Sequence, residues 1–209
     1  KYLSLENAEK TLKEAKKAGL RTNAVLLYSD EMTYANTQNL PDGWTADDAG
    51  EKAIAYTQAT LKALDDDDAL PDIVTVGNEV NYNFLGISGN DGFAKIGKIT
   101  QEIKDNYKDV KTAVSISMPN EPADIKWIQN QLNGDWNHIS YDYLGVNVYP
   151  DENSNKNIET LRKEFENNQA DTETNKDAQL IVSNVKYPRN DDEAKSSVYT
   201  QTKNIYDLL

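Results

Sequence analysis

Cysteine is absent from this chain of 209 residues, and histidine occurs once, as His138. Without thiols the chain can form no disulfide, no thiolate zinc site and no cysteine nucleophile. His138 lies in a polar stretch typical of a loop, so a histidine-based catalytic triad has little support. The acidic run Asp65–Asp68 could suggest a cation site, but consecutive carboxylates point in different directions, which favours a solvated charged turn. The sequence therefore predicts no metal and no cofactor.

Long apolar runs and excess positive charge are also missing. No segment approaches the roughly 18 consecutive apolar residues of a membrane-spanning helix. The 35 acidic and 22 basic side chains give a formal net charge of −13. Such a surface repels phosphate backbones and anionic lipids, so we expect neither nucleic acid nor a membrane as a partner. A neutral polysaccharide is compatible, because aromatic stacking and hydrogen bonds hold it without net charge.

The spacing of apolar residues predicts helices that alternate with strands. The predicted helices are Ser4–Ala18, a helix from Thr45 or Asp47 to Leu64, Phe93–Tyr107, Pro122–Leu132, Asn157–Asn167 and Asp192–Leu209. The predicted strands are Ala24–Leu27, Ile73–Val76, Val110–Ser117, Tyr141–Tyr149 and Gln179–Asn184. The polar segment Ser29–Trp44 is too long for a simple connection and is a candidate functional loop.

This alternation fits two architectures. Strands separated by helices indicate parallel βαβ units, and continuous apolar strands indicate a sheet buried on both faces. An open doubly wound sheet usually has a glycine-rich phosphate loop after its first strand, and this chain has none. A closed barrel places polar functional residues at the carboxyl ends of its strands, where this chain has Asp30, Glu79, Tyr149 and Asn184. The predicted fold class is therefore α/β, of the (β/α) TIM-barrel type, in a single domain over residues 1–209.

Glu79 directly follows a predicted strand, after Gly77 and Asn78. At the mouth of a barrel such a carboxyl group can serve as a general acid, and the adjacent asparagine can hydrogen-bond a sugar hydroxyl beside the reacting carbon. The same residues could instead begin a helix, with Asn78 as its cap and Glu79 in its first turn. The local sequence leaves both interpretations open.

Three segments extend the argument beyond Glu79. They are Tyr28-Ser29-Asp30 with the downstream Gln38, Pro41 and Trp44; Pro71–Asn81; and Tyr141–Pro150. Together they resemble the arabinogalactan endo-β-1,4-galactanases of glycoside hydrolase family 53, over most of the chain. The resemblance implies that Glu79 is the acid/base glutamate and that the chain corresponds to barrel strands three to seven. Strands one, two and eight are then unaccounted for, so we expect a larger protein unless other segments close the barrel.

The resemblance also exposes departures at catalytic positions. The family's nucleophile is a Glu on strand seven, three residues before a Tyr-Pro, and Asn184 stands at that position here. A retaining mechanism needs two carboxyl groups about 5–5.5 Å apart, whereas an amide is neutral and a poor nucleophile. Other departures are Leu27 for His, Met32 for Trp, Tyr34 for Asp, and Asn147-Val148 for Ser-Tyr. Together they predict weakened or absent hydrolysis.

The resemblance and the strand-end positions define an expected site. Its catalytic positions are Glu79 and the substituted Asn184. The expected substrate-binding residues are Asn78, Tyr28, Asp30, Trp44, Asn147 and Tyr149. Among the aromatic residues, Trp44 and Tyr149 are the candidates for stacking on sugar rings.

Three functions are compatible with this site. The first is a catalytically weakened galactanase-like barrel that binds β-1,4-galactan-type polysaccharide. The second is an active endo-glycosidase in which Glu79 is the general acid and another carboxylate, such as Asp151 or Glu152, is the base. The third is an adhesin or spacer module on a cell surface. The absence of cysteine and the acidic composition are typical of an exported bacterial protein, so we expect it to be secreted or on the cell surface.

Overall fold

A computed structural model describes residues 4–30, 37–118, 139–149, 154–170 and 175–185. Its helices are α1 (Leu5–Lys17), α2 (Ala49–Asp66), α3 (Gly89–Asn106) and α4 (Ser154–Ala170). Its strands are β1 (Asn23–Leu26), β2 (Ile73–Val76), β3 (Asn83–Phe84), β4 (Ile87–Ser88), β5 (Lys111–Ser117), β6 (Tyr143–Val148) and β7 (Gln179–Val185). The predicted helices Pro122–Leu132 and Asp192–Leu209 lie outside the described residues. Each of the other predicted helices and strands is present, and most differ by a few residues at their ends.

Five strands form one parallel sheet in the order β1-β2-β5-β6-β7. Every neighbouring pair in this sheet is parallel. Parallel strands bring their carboxyl ends to the same edge, so the ends of β2, β6 and β7 lie there together. The predicted parallel βαβ arrangement is confirmed over the described residues.

The two faces of this sheet differ in chemistry. Side chains alternate between the faces along each strand, so residues two apart share a face. One face is apolar and packs with the helices in a single hydrophobic cluster; its members include Leu26, Val74, Val76, Val114, Ile116, Leu144, Val146 and Val148. The other face carries Thr75, Ser115 and Asn147, which are also buried. The prediction that both faces are buried holds at these positions, but the second face is lined by hydroxyl and amide groups.

Aspartates clip neighbouring strands together at the amino edge of the sheet. Asp72 Oδ2 accepts hydrogen bonds from the backbone nitrogen and the hydroxyl of Thr22, at 2.6 and 2.8 Å. Asp142 Oδ2 accepts the same pair from Thr112, at 2.8 and 3.1 Å. Each aspartate stands just before its own strand and satisfies a backbone donor at the start of the neighbouring one, Thr22 directly before β1 and Thr112 within β5, so both clips help to fix the strand register.

A two-stranded hairpin, β3-β4, follows the carboxyl end of β2 and was not predicted. Its turn residues Leu85 and Gly86 both have positive φ, as tight hairpin turns of this twist require. The hairpin packs on α3 through Gly92, where an added Cβ would lie 2.2 Å from the carbonyl oxygen of Ile87. Only glycine fits this contact. The hairpin thereby holds Phe84 against the strand end that carries Glu79.

Across the described helices, none combines the length and the apolar character needed to cross a membrane.

Candidate active site

Glu79 lies in a backbone conformation that is unusual for its residue type. Gly77 and Glu79 have φ values of 76° and 54°, both in the left-handed region. A Cβ at Gly77 would lie 2.7 Å from Val80 Cγ1, so glycine is required there. Glu79 has a Cβ, and a left-handed conformation costs such a residue roughly 1–2 kcal/mol. Its side chain is nevertheless 3% exposed, so the surrounding structure holds it in place.

Hydrogen bonds from three directions fix this strained turn. The side-chain amide of Gln38 donates to the carbonyl oxygens of Asn78 and Glu79, at 2.8 and 3.3 Å. The next backbone nitrogen, of Val80, donates to Ser115 on β5. Asn81 bonds both backbone groups of Ser117, each at 2.7 Å. Because the backbone is hydrogen-bonded to β5 and to the 37–44 segment, the backbone position from which the Glu79 side chain extends is fixed.

The Glu79 carboxylate is part of a hydrogen-bond network. The other members are one residue that follows β2 and two residues at the end of β6. Glu79 Oε1 accepts hydrogen bonds from Asn147 Nδ2 at 2.9 Å and from the Tyr149 hydroxyl at 2.5 Å. Asn147 Nδ2 also donates to Asn78 Oδ1 at 3.0 Å. Four of the predicted site residues are therefore in direct contact. The helix-cap interpretation of Asn78 and Glu79 does not hold, since α3 begins only at Gly89.

A β-bulge brings β7 to the same network. Val146 pairs with Val182 and Asn147 with Asn184, so Ser183 is the extra residue on β7. The Ser183 hydroxyl donates to Asn147 Oδ1 at 2.9 Å. Asn184, at the predicted nucleophile position, is exposed and lies beside Asn147 in the strand pairing.

The three remaining predicted residues have other surroundings. The Tyr28 side chain is part of the core: its hydroxyl bonds Thr57 of α2 at 2.8 Å, and burial raises its pKa. The structure thus gives the Tyr28 side chain a packing role, with its ring also against Phe84, and its part in substrate binding stays a prediction. Asp30 accepts a hydrogen bond from the backbone nitrogen of Asp42 at 2.7 Å, which ties the end of β1 to the 37–44 segment. Trp44 is half-buried, with Lys52 Nζ 5.9 Å from its ring centre.

Three residues that bond this site, Gln38, Ser115 and Ser183, were not among the predicted site residues. Gln38 stood in a segment that carries the family resemblance, which was a usable signal. Ser183 is visible only through the bulge in strand pairing, which no local pattern indicates. The departures Met32 and Tyr34, and the alternative bases Asp151 and Glu152, lie outside the described residues.

Among the described residues, no group of three or more histidines, aspartates or glutamates is arranged so that it could hold a metal ion. Within the acidic run, Asp66 pairs with Lys62 and Asp67 with Lys13. These contacts fit the predicted solvated turn.

Comparison with known proteins gives a consistent set of matches. The family model for glycosyl hydrolase family 53 matches residues 1–208. An arabinogalactan endo-beta-1,4-galactanase from Cellvibrio japonicus is 33% identical over 171 residues, covering 72% of this chain and 43% of that protein. Another from Thermothelomyces thermophilus is 28% identical, covering 74% of this chain and 50% of that protein. The chain therefore spans half or less of the length of these relatives.

Solved structures agree on the fold. The catalytic domain of an Ignisphaera aggregans protein of family 53 superposes with a TM-score of 0.72 at 19% identity, over 91% of this chain and 53% of that one. The predicted (β/α)-barrel type is confirmed, and the parallel sheet is part of such a barrel.

Proposed function

The chain belongs to glycosyl hydrolase family 53, and from this membership we propose that it binds a β-1,4-galactan-type polysaccharide around Glu79 and hydrolyses it weakly or not at all. The observation that carries the proposal is the network at the carboxyl edge of the sheet, in which Asn147 and Tyr149 contact the Glu79 carboxylate. A barrel of this type presents its functional groups at that edge.

The substrate class follows from the relatives and from the chemistry of the chain. Two relatives that match most of this chain are named as arabinogalactan endo-beta-1,4-galactanases. A galactan is neutral, so the net charge of −13 does not oppose its binding. Amide groups such as those of Asn78 and Asn147 suit sugar hydroxyls, and the rings of Tyr149 and Trp44 suit the apolar faces of pyranoses.

Glu79 alone supplies half of the chemistry that a retaining hydrolase needs. It can give a proton to the glycosidic oxygen as the leaving group departs, and later take one from water. The covalent step requires a second carboxylate about 5–5.5 Å away on the other side of the anomeric carbon. At the matching position Asn184 offers a neutral amide, which supports weakened or lost hydrolysis.

Two other functions remain as outcomes of the test. An active endo-glycosidase would need a base other than Asn184, for which Asp151 and Glu152 are the candidates by sequence. A spacer or adhesin module would need no sugar site. A polysaccharide of this kind is met outside the cell, so the proposal includes secretion or attachment to a cell surface.

Calorimetry with β-1,4-galactan oligosaccharides, together with an assay for new reducing ends, tests the proposal. We expect binding by the native chain and little or no release of reducing ends. Tyr149→Ala should weaken binding roughly tenfold, because about 1–1.5 kcal/mol of ring contact and a hydrogen bond are lost. Tyr143→Ala, an aromatic on the opposite end of β6, should leave binding near the native value.

The contrary outcomes are distinct from one another. Reducing ends released at an ordinary enzymatic rate and abolished by Glu79→Gln would establish the active hydrolase. A folded native chain that binds no galactan would favour the spacer.

A further inference from the structure

We propose that Ser183 is a positioning residue: its hydroxyl fixes the direction of the Asn147 side-chain amide and thereby keeps a hydrogen-bond donor on the Glu79 carboxylate. The inference deepens the proposed function, because it concerns the same site, and it rests on that function only for its ligand-binding readout. Three observations support this role of Ser183: the contacts of Asn147, the bulge in β7, and the close fit of Gly145 against Ser183.

The side-chain amide of Asn147 has all of its hydrogen-bonding capacity in use. Its Nδ2 carries two protons, which go to Glu79 Oε1 at 2.9 Å and Asn78 Oδ1 at 3.0 Å. Its Oδ1 has two acceptor directions, which receive the hydroxyls of Ser183 at 2.9 Å and Ser115 at 3.5 Å. Asn147 itself is 6% exposed, whereas Ser183 is exposed, so the Ser183 hydroxyl is the partner of this amide that adjoins solvent.

A 180° rotation of the Asn147 side-chain amide, which would exchange Oδ1 and Nδ2, is disfavoured by the groups on each side of it. Two oxygens that act as acceptors, from Glu79 and Asn78, face the nitrogen. A reversed amide would set Oδ1 against both of these oxygens, which is repulsive when the carboxylate is ionised. The hydroxyls of Ser183 and Ser115, on the Oδ1 side, can donate or accept. How much each of them favours the observed orientation of the amide therefore depends on the strength of its hydrogen bond to Oδ1. The hydroxyl of Ser183 makes the shorter and stronger of these two bonds.

The bulge in β7 is what brings Ser183 to this position. Asn147 pairs with Asn184, yet the side chain that reaches the amide is that of Ser183. Gly145, two residues before Asn147 on the same face, leaves room for it. An added Cβ at Gly145 would lie 3.1 Å from Ser183 Oγ and 3.2 Å from Ser183 Cβ. The absence of a side chain at Gly145 and the bulge together seat the hydroxyl.

Exchange of the Asn147 side-chain amide protons, followed by nuclear magnetic resonance on the ¹⁵N-labelled chain, tests this directly. In Ser183→Ala we expect exchange to quicken by roughly fivefold, as loss of one ordinary hydrogen bond implies. Ser183→Thr, which keeps the hydroxyl, should restore slow exchange. Ser115→Ala is the matched control and should have a smaller effect, because its contact is 3.5 Å long.

A second variant keeps the test decisive if the first one perturbs folding. Gly145→Ala should displace Ser183 and quicken exchange in the same direction. Galactan affinity should fall with the faster exchange in both variants. If no variant and no native chain binds galactan, the proposed function fails while the exchange rates still decide the role of Ser183. Unchanged exchange in a folded Ser183→Ala chain, or an equal effect of Ser115→Ala, would overturn the inference.

Discussion

Glu79 combines a site role with a backbone conformation that its residue type disfavours. Its φ of 54° lies in the left-handed region, and Gln38, Ser115 and Ser117 bond the surrounding turn. Strain of this kind persists where the rest of the structure overrides local preference, and it clusters at functional sites. The strain at Glu79 is therefore a residue-level sign that the turn serves the carboxyl group.

Paired substitutions at Glu79 measure this strain. Glu79→Gly and Glu79→Ala both remove the carboxyl group, but only glycine accepts a positive φ without a steric penalty. We expect the glycine variant to have a free energy of unfolding about 1 kcal/mol higher than the alanine variant, measured by urea unfolding. At Lys98, exposed within α3, the order should reverse, since glycine in a helix is about 1 kcal/mol worse than alanine. An alanine variant as stable as the glycine variant at position 79 would contradict the strain.

Single residues of the site could be predicted from sequence to different degrees. The contact among Asn78, Glu79, Asn147 and Tyr149 could be predicted because parallel strands bring their carboxyl ends together. Tyr28 follows a strand in the same way, yet it faces the helix layer and bonds Thr57. A residue that follows a strand can be predicted to lie at the carboxyl edge of the sheet. The face of the sheet to which its side chain points depends on strand pairing and packing, which cannot be read from the local sequence.

At the scale of elements, strands were easier to predict than the segments that bend between them. The strand Ile73–Val76 has the predicted bounds because four β-prone residues stand between a proline-containing turn and a glycine. The hairpin β3-β4 was missed because each strand has two residues and its turn, Leu85-Gly86, lacks the usual Asn-Gly signal. The bulge in β7 depends on its partner β6 and is invisible in either strand alone.

The aspartate clips predict how strand pairing responds to acid. Hydrogen bonds from the backbone and the hydroxyl of Thr22 lower the pKa of Asp72 from its ordinary value. Burial raises the pKa of Asp142, but bonds from Thr112 and the charges of Lys104 and Lys111 outweigh it and lower the pKa overall. A lowered carboxyl pKa stabilises the fold above the unfolded-state pKa of about 3.9, and this contribution is lost as the pH falls through the lower folded-state pKa.

Asp72→Asn tests the clip. Its carbonyl oxygen can still accept hydrogen bonds but carries no charge, so we expect the variant to lose about 1 kcal/mol in free energy of unfolding at pH 7. The gap to the native chain should shrink as the pH falls from about 4 through the folded-state pKa of Asp72. Asp67→Asn is the control, because an exposed pair with Lys13 contributes at most about 1 kcal/mol and often nothing. A gap that stays constant into acid would contradict the assignment.

For the molecule as a whole, the fold does not depend on whether the site can catalyse hydrolysis. The parallel sheet brings Glu79, Asn147 and β7 to one edge whether or not the second carboxylate is present. The polar face that leads to this edge, with Thr75, Ser115 and Asn147, is satisfied internally by hydrogen bonds. A change at the end of β7 can therefore alter the chemistry of the site with little effect on the sheet.

Asn184→Glu is the variant that follows from this separation. It supplies a carboxylate at the exposed end of β7 beside Asn147, while Glu79 remains as the acid. We expect the release of reducing ends from β-1,4-galactan to rise by roughly 100-fold or more over the native chain, because a missing nucleophile typically costs far more than that. Asn184→Gln has nearly the same size without the charge and should stay inactive, and Glu79→Gln added to Asn184→Glu should remove the gained activity. The folded Asn184→Glu chain could instead bind galactan but release no more reducing ends than the Asn184→Gln chain. In that case Asn184 does not stand at the nucleophile position, and the other departures from the family would have to account for the loss of hydrolysis.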